Sequence, residues 1–273
     1  MKKKTFFVFI SLLFITMMTW AYPLDSLVAY YQFNGNAIDE STNTNDGVLS
    51  STGTSLIADR YGHENSAYLF DGNTGYINCG NNASLNFTGG ITISAWFYAN
   101  NIPVANFGFN DCYPTILSKA DSPDWDAPYA EFNLRIHSNP GVNQKKLEFF
   151  MGDYVATSTF SNTVIQEGSW YHVAATYNNN QVVMYVNGVS DSTKIIGAGK
   201  LSTSAEAMFI GYQGLYGDSR SHFNGIIDEV MLYSRALSAT EIQGLYLETP
   251  VPELNSIFFV TFILGLIGIR RYF

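Results

Sequence analysis

One acidic, aromatic segment of this 273-residue chain carries residue types that recognise sugars. It runs from Asp121 to Pro128 and contains Asp124, Trp125 and Asp126 in succession. An indole ring offers a flat face to the apolar side of a pyranose, and carboxylates accept hydrogen bonds from sugar hydroxyls. Loops inserted on a rigid scaffold are where binding specificity resides. The segment is therefore a candidate ligand-binding loop.

A second segment, residues 212–220, mixes the same residue types and includes Tyr216 and Asp218. If the two segments meet at one rim of the fold, they form a ligand-binding site. The alternative is a pair of solvated loops, in which Trp125 packs down onto the fold. The sequence leaves both alternatives open.

The remaining reactive side chains form no recognisable catalytic or zinc-binding motif. The chain has no Gly-x-Ser-x-Gly nucleophile signature. His172 alternates with Trp170 and Ala174 on a predicted strand, which is typical of a structural histidine. The histidines have no zinc-like spacing; they are His63, His137, His172 and His222. The sequence therefore predicts no catalytic residues.

The charge of the chain limits its partners. It has 14 Lys and Arg against 23 Asp and Glu, which gives a formal net charge of −9. Such a charge argues against nucleic acid and anionic membrane surfaces as main partners. Acidic, neutral-sugar and metal-containing partners remain open.

Short alternating runs separated by turn residues predict an antiparallel β-sandwich. The run Ile91–Tyr98 alternates an apolar face with a face of Thr, Ser, Trp and Tyr side chains, so we expect at least one face to be buried and the other to be partly covered. Trp170–Tyr177 and Gln181–Val186 flank three asparagines, which predicts a hairpin. Ser238 and Glu241 form a capping box, which predicts a short helix through about Tyr246.

Seven segments occur in an order that identifies a family. They are 27–39, 67–77, 91–97, 116–119, 168–177, 183–188 and 223–237, the last containing Asp228-Glu229-Val230. Together they resemble a laminin-G-like domain of the concanavalin A-like lectin/glucanase superfamily. The resemblance covers residues 22–248 and implies an all-β fold, a jelly-roll β-sandwich of two antiparallel sheets with a short C-terminal helix.

The resemblance also bears on catalysis, because the superfamily includes glycoside hydrolases. Retaining glucanases of this fold carry a Glu-x-Asp-x-x-Glu strand motif, which the chain lacks. Asp228 and Glu229 are adjacent on a predicted strand, so we expect them to point to opposite faces and not to act as a pair. We therefore expect a non-catalytic module that binds glycan or another extracellular polymer. The alternative is a structural or protein-interaction component without a sugar site.

A structural calcium ion is the cofactor that the resemblance implies. In such domains it lies between the loop after the first strand and the final Asp-Glu-Val strand, positions that Asn34, Asp39 and Asp228 fill here. Ca²⁺ takes six to eight oxygen ligands, including amide and backbone oxygens. The alternative is that Asn34 and Asp39 cap turns while Asp228 bonds to the backbone.

The two cysteines, Cys79 and Cys112, allow one disulfide bond if the domain is exported. Two buried free thiols are the alternative. Related pentraxins join two strands with a disulfide, and the matching positions here are Ser94 and Ala174. A bridge in this chain would therefore be a different one.

The N-terminus is typical of a secretory signal peptide over residues 1–21. Lys2, Lys3 and Lys4 precede an apolar stretch from 5 to 19, and Ala21 is a small residue at a suitable cleavage position. The sequence therefore predicts export.

The C-terminal segment, residues 249–273, resembles a PEP-CTERM sorting signal of Gram-negative bacteria. Val251, Pro252 and Glu253 precede an apolar run, 257–269, and Arg270 and Arg271 follow it. Leu254 replaces the second proline of that signal. As a helix, the run would span about 20 Å, less than the roughly 30 Å hydrocarbon core. The resemblance implies processing by an exosortase-type enzyme and a location at the cell surface or in the extracellular matrix; the alternative is a weak membrane anchor.

Overall fold

The structure is a computed structural model that describes residues 22–103, 113–120, 130–152, 154–214 and 221–247. Both predicted terminal signals lie outside these ranges. No helix in the described ranges is long and apolar enough to cross a membrane. The predicted ligand residues outside them are Asp124, Trp125, Asp126, Tyr216 and Asp218, and so is Cys112.

Two antiparallel sheets form the predicted β-sandwich, which confirms the fold class. The eight-stranded sheet has the order β13-β12-β11-β6-β15-β4-β3, and β1 also pairs with β15. Its strands are β1 (Leu27–Tyr31), β3 (Thr54–Ile57), β4 (Ala67–Asp71), β6 (Ile91–Ala99), β11 (Trp170–Tyr177), β12 (Gln181–Val186), β13 (Val189–Ile195) and β15 (Asn224–Tyr233).

The seven-stranded sheet has the order β10-β9-β8-β7-β14-β5-β2. Its strands are β2 (Val48–Leu49), β5 (Ile77–Asn78), β7 (Thr115–Ala120), β8 (Ala130–His137), β9 (Lys146–Gly152), β10 (Thr159–Val164) and β14 (Met208–Ile210). Two α-helices are described, α1 (Tyr154–Thr157) and α2 (Ala239–Leu247), together with a 3₁₀ turn at Ala83–Leu85.

The main core lies between the sheets and follows from strand alternation. On β6, the side chains of Ile91, Ile93, Ala95 and Phe97 are fully buried in one cluster. The same cluster contains alternate residues of β11 from the same sheet and of β8 and β9 from the facing sheet. Period-two alternation directs these side chains to one face, as the sequence predicted.

The outer face of the eight-stranded sheet is covered by the C-terminal part of the chain. Ile242 and Leu245 of α2 pack in a second apolar cluster with Tyr30 and Met231. The predicted capping box forms, because the Ser238 backbone N–H donates to Glu241 Oε2 at 2.7 Å. The second face of β6 is therefore buried as well.

The predicted hairpin is confirmed as β11 and β12, which pair from Val173 opposite Val186 to Tyr177 opposite Val182. β11 also pairs with β6, and this register places Ala174 directly opposite Ser94. These are the two positions that the sequence matched to the pentraxin disulfide.

His172 of β11 is buried under the outer face of this sheet, as predicted for a structural histidine. Its Nε2 lies 2.9 Å from Ser94 Oγ, and its ring contacts those of Trp96 and Tyr246. Burial disfavours the imidazolium, and the charge of Arg60 adds to this, so the pKa of His172 falls to about 3. The folded protein therefore holds His172 neutral at pH values where the unfolded chain protonates it.

We expect this histidine to make the fold less stable as the pH falls from about 6.5 towards 3, because only the unfolded chain takes up the proton there. Between pH 7 and pH 5 the contribution is about 2 kcal/mol. Urea unfolding at both pH values checks it by comparing the wild type with His172→Gln, whose free energy of unfolding lacks this component. Equal pH dependence in the two proteins would contradict the assignment.

Candidate functional site

An open pocket of about 490 Å³ lies at one end of the sandwich. Three stretches of chain that run between the two sheets line it: the β2–β3 connection, the β4–β5 connection, and the end of β14 with the link to β15. The lining combines hydroxyl and amide groups with aromatic rings. The lining residues are Ser50, Ser51, Thr52, Asn73, Thr74, Tyr76, Phe209, Tyr212 and His222.

Four rings form the aromatic part of the pocket lining. Tyr212 and His222 stack with centroids 4.2 Å apart and planes 13° apart. The Tyr76 ring is tilted by 33° from Tyr212 and by 35° from His222. Phe209 stands at 80° to Tyr76. Tyr76 and Phe209 are partly exposed, so the pocket offers aromatic surface to a ligand.

The polar part of the lining is held in place by the carboxylate of Asp71 at the end of β4. It accepts hydrogen bonds from the backbone N–H groups of Asn73, Thr74 and Gly75 at 2.8–2.9 Å and from Thr74 Oγ1 at 2.9 Å. Partial burial raises the pKa of Asp71, but these hydrogen bonds outweigh it and lower the pKa to about 2. Asp71 is therefore ionised at neutral pH and fixes the 72–75 turn.

Two glycines allow this turn to form. Gly72 has a φ of +75°, and a Cβ there would lie 2.7 Å from the Cβ of Asn224. A Cβ on Gly75 would lie 2.1 Å from the carbonyl oxygen of Gly53. Because a side chain does not fit at either position, the turn can approach both the β2–β3 connection and the start of β15.

The orientation of His222 follows from its backbone contact. Its Nδ1 lies 3.0 Å from the carbonyl oxygen of Gly75. A carbonyl oxygen only accepts hydrogen bonds, so Nδ1 carries the proton. In the neutral ring, Nε2 is then a hydrogen-bond acceptor.

The sequence did not predict this pocket, although Tyr212 belongs to one of its two candidate ligand segments. Strand β7 leads into the first segment and β14 leads into the second. The two strands are antiparallel, with Met208 opposite Lys119 and Ile210 opposite Leu117, so they end at opposite ends of the pair. Residues 121–129 follow Ala120 beyond the first pair. A site formed jointly by the two segments stays a prediction.

The three residues proposed for calcium are engaged elsewhere. Asp39 is buried, and its Oδ1 accepts from the backbone N–H groups of Tyr30 and Ser41, while its Oδ2 accepts from Ser41 Oγ and from both nitrogens of Asn45. Both oxygens thus have their lone pairs occupied by protein donors. The Asx-capping alternative describes Asp39 well.

Asn34 and Asp228 do not complete a calcium site either. The Asn34 amide is exposed and donates to Gln32 Oε1, and the carboxylate of Asp228 contacts Arg60 at 3.1 Å. Within the described ranges, no group of three or more His, Cys, Asp or Glu side chains could hold a metal ion. The donor set does not fit Ca²⁺, and calcium binding stays an untested prediction.

The expectation that Asp228 and Glu229 point to opposite faces is wrong. Both carboxylates bind one guanidinium: Arg60 Nη1 lies 3.1 Å from Asp228, and Nη2 lies 2.9 Å from Glu229. The cause is a β-bulge in β15, where the register with β6 shifts between Asp228 and Met231. Glu229 has a φ of +46° at this bulge, so the alternation fails there.

Arg60 bridges the two carboxylates of this buried pair. Its guanidinium also lies over the rings of Trp96 and Tyr61, at 4.2 and 4.4 Å from the centroids. Burial raises the pKa of both Asp228 and Glu229, and repulsion between the two carboxylates raises the pKa of Asp228 further, while Arg60 opposes the change. The pair is therefore a charge cluster inside the fold and is separate from the pocket.

Cys79 is buried, and among the described residues it is a free cysteine. Burial raises the pKa of its thiol to about 12. Cys112 lies outside the described ranges, so the disulfide stays a prediction.

Comparison with known protein families identifies the family of this domain. Residues 71–243 match the Laminin_G_3 family model of the concanavalin A-like lectin/glucanases superfamily. The chain belongs to this family. The resemblance seen in the sequence is thereby confirmed for the domain. None of the curated proteins compared with the chain matches it.

Several solved structures resemble this laminin-G-like domain. One is domain 4 of an extracellular GH43 arabinanase from Geobacillus stearothermophilus, in complex with arabinotriose; the TM-score is 0.60 at 18% identity, over 81% of this chain and 98% of that one. Another is the binding domain of Paraclostridial Mosquitocidal Protein 1, with a TM-score of 0.61 at 17% identity, over 82% of this chain and 52% of that one.

A third is a Trypanosoma rangeli sialidase in complex with 2,3-difluorosialic acid, with a TM-score of 0.58 at 16% identity, over 83% of this chain and 33% of that one. At these identities the likeness shows the fold alone. The laminin-G-like fold therefore occurs both in binding domains and within larger glycoside-cleaving enzymes.

We expect Arg60→Met to lower the free energy of unfolding by about 3–5 kcal/mol at pH 7, because it leaves two buried carboxylates without a cation. The deficit should shrink towards pH 5, since carboxyls with raised pKa values take up protons more readily in the folded state than in the unfolded one. Urea unfolding at several pH values measures both effects.

Arg235→Met is the matched control, because Arg235 pairs with Asp25 and Glu241 near the surface. It should cost no more than about 1 kcal/mol. Losses of equal size in the two variants would contradict the role given to Arg60.

We expect EDTA to leave the melting temperature unchanged, because the oxygens of Asp39 are committed to protein donors. Thermal unfolding of calcium-free protein, with and without added Ca²⁺, measures this. A melting temperature that rises with Ca²⁺ and falls again with EDTA would instead establish the ion that the family resemblance implied.

Proposed function

We propose that this protein is a non-catalytic glycan-binding module, and that the pocket around Tyr76 and His222 is its sugar site. The observation that carries this is that one pocket combines partly exposed aromatic side chains, Tyr76 and Phe209, with several hydroxyl and amide groups. Sugars have an apolar face and a polar edge, so they match such a surface.

The family and the fold support a binding role. Domain 4 of the similar arabinanase was solved with arabinotriose, and the similar mosquitocidal domain is described as a binding domain. The sugar that this chain binds is a matter for experiment, because fold likeness does not transfer a ligand.

The placement of the carboxylates favours binding over hydrolysis. Glycosidases use two carboxyl groups that face one substrate, about 5–5.5 Å apart in retaining enzymes. The described lining of the pocket contains no Asp or Glu, and the pair on β15 is bound to Arg60. This supports the proposal that the module does not catalyse.

We further propose that the module works outside the cytoplasm. The basic and apolar pattern of residues 1–21 supports export, and the tail, 249–273, supports sorting by an exosortase-type enzyme. The resulting location would be the cell surface or the extracellular matrix.

A protein-interaction role is the second candidate. Edge strand β13 exposes Val189 and Ile195, at 65% and 72% of their surface. An edge strand has unpaired backbone groups that another chain can extend. A scaffold component could therefore assemble through this edge without binding sugar.

A glycan array on the purified protein distinguishes the two candidates. We expect saturable, competable binding, and we expect Tyr76→Ala to weaken it about tenfold or more because a stacking surface is lost. Trp170→Ala is the control, since Trp170 is a partly exposed aromatic outside the pocket. It lies on the outer face of the eight-stranded sheet, where its ring contacts Tyr98. Trp125→Ala in the same array tests the predicted ligand loop.

Binding that Trp170→Ala weakens as much as Tyr76→Ala does would argue against the pocket. A blank array would favour the protein-interaction role. Binding lost only in Trp125→Ala would move the site to the 121–128 segment.

A further inference from the structure

We infer that the pocket selects uncharged sugars over acidic ones, and that Nε2 of His222 and Oγ1 of Thr52 are the acceptors that determine this specificity. The inference rests on the proposed function and adds the ligand class to it. It follows from the direction of the hydrogen bonds around the pocket.

The chain of hydrogen bonds ends at Asp71, whose ionised carboxylate can only accept hydrogen bonds. Thr74 Oγ1 lies 2.9 Å from Asp71 Oδ2, so the Thr74 hydroxyl spends its single proton on that bond. Thr52 Oγ1 lies 3.1 Å from Thr74 Oγ1 and therefore must donate to it. The protons of both hydroxyls point along this chain towards Asp71, which leaves Thr52 Oγ1 with lone pairs for a ligand.

His222 extends the same pattern among the rings. Its Nδ1 donates its proton to the carbonyl oxygen of Gly75, so Nε2 is the acceptor in the neutral form of the ring. The ring is held by its stack on Tyr212. The residues that carry these two acceptors, Thr52 and His222, thus line the same pocket as the partly exposed Tyr76.

The charges agree with this polarity. The described lining contains no Lys or Arg to pair with an anion. The nearest formal charge along the hydrogen-bond chain is the carboxylate of Asp71, which bonds to Thr74 and is separated from Thr52 by the Thr74 hydroxyl. At Thr52 Oγ1 and His222 Nε2 a sugar carboxylate or sulfate would meet acceptors, with the negative charge of Asp71 behind them, whereas the hydroxyl groups of a neutral sugar can donate to both.

Isothermal titration calorimetry of the full chain with two trisaccharide classes tests this. Maltotriose and xylotriose represent neutral sugars, and trigalacturonate and sialyllactose represent acidic ones. We expect at least tenfold tighter binding of one or both neutral sugars than of either acidic one. Thr52→Val, which is isosteric and removes one acceptor, should weaken neutral-sugar binding about 5- to 10-fold.

His222→Phe should weaken it by a similar factor, because phenylalanine keeps the stack on Tyr212 and removes both nitrogens. It also removes the hydrogen bond to Gly75, so its circular dichroism melting curve is recorded; if the variant unfolds, Thr52→Val alone decides. Thr52→Lys, which adds a cation, should narrow the preference for neutral sugars.

Tighter binding of acidic sugars that Tyr76→Ala abolishes would overturn the inference and leave the proposed function intact. Neutral-sugar binding unaffected by Thr52→Val would overturn the assignment of the acceptors. Failure of Tyr76→Ala to weaken any sugar would overturn the proposed site itself, and with it this inference.

Discussion

The register in which β4 pairs with β15 determines where the groups of the pocket lie. Asp71, the last residue of β4, is opposite Asn224, the first residue of β15. The turn that Asp71 holds therefore begins beside the point where His222 precedes β15, and the two segments join through the hydrogen bond from His222 to Gly75. A slip of one residue would turn every side chain of β4 to the other face and separate these groups.

Strand β15 also carries the two carboxylates that bind Arg60. β15 pairs with β4 through its first half and with β1 through its second half, and the bulge at Glu229 lies between them. The bulge directs two carboxylates to one side, where Arg60 bridges them. Arg60 precedes β4 in the chain, so this ion cluster joins the approach to β4 to the middle of β15. The register that forms the pocket is thus supported by an interaction outside it.

Local patterns predicted the elements whose information is contiguous in sequence. Strand β6 shows period-two alternation, the β11–β12 hairpin shows its asparagine turn, and α2 shows its capping box. Alternation could not predict the bulge, because the apolar residues of β15 fit an alternating strand both with and without one extra residue at positive φ.

The pocket was missed for a different reason. Its groups come from three stretches of the chain up to about 170 positions apart, and neither Tyr76 nor His222 belongs to a binding motif. The one available signal was the segment 67–77, which contains Tyr76, and it indicated the family rather than the function.

The C-terminal helix and the pocket lie in different parts of the domain. Helix α2 lies on the outer face of that sheet, where Tyr246 stacks on Trp96 with centroids 5.5 Å apart. The chain itself covers this part of the face, although Trp170 and Tyr98 on the same face are partly exposed. The pocket is at an end of the sandwich and includes Phe209, which points away from the core on the seven-stranded sheet. The chain continues from the exposed Leu247 on the covered face into the segment proposed for sorting. None of the described residues that line the pocket comes from α2, so the helix that covers the sheet takes no part in the proposed site.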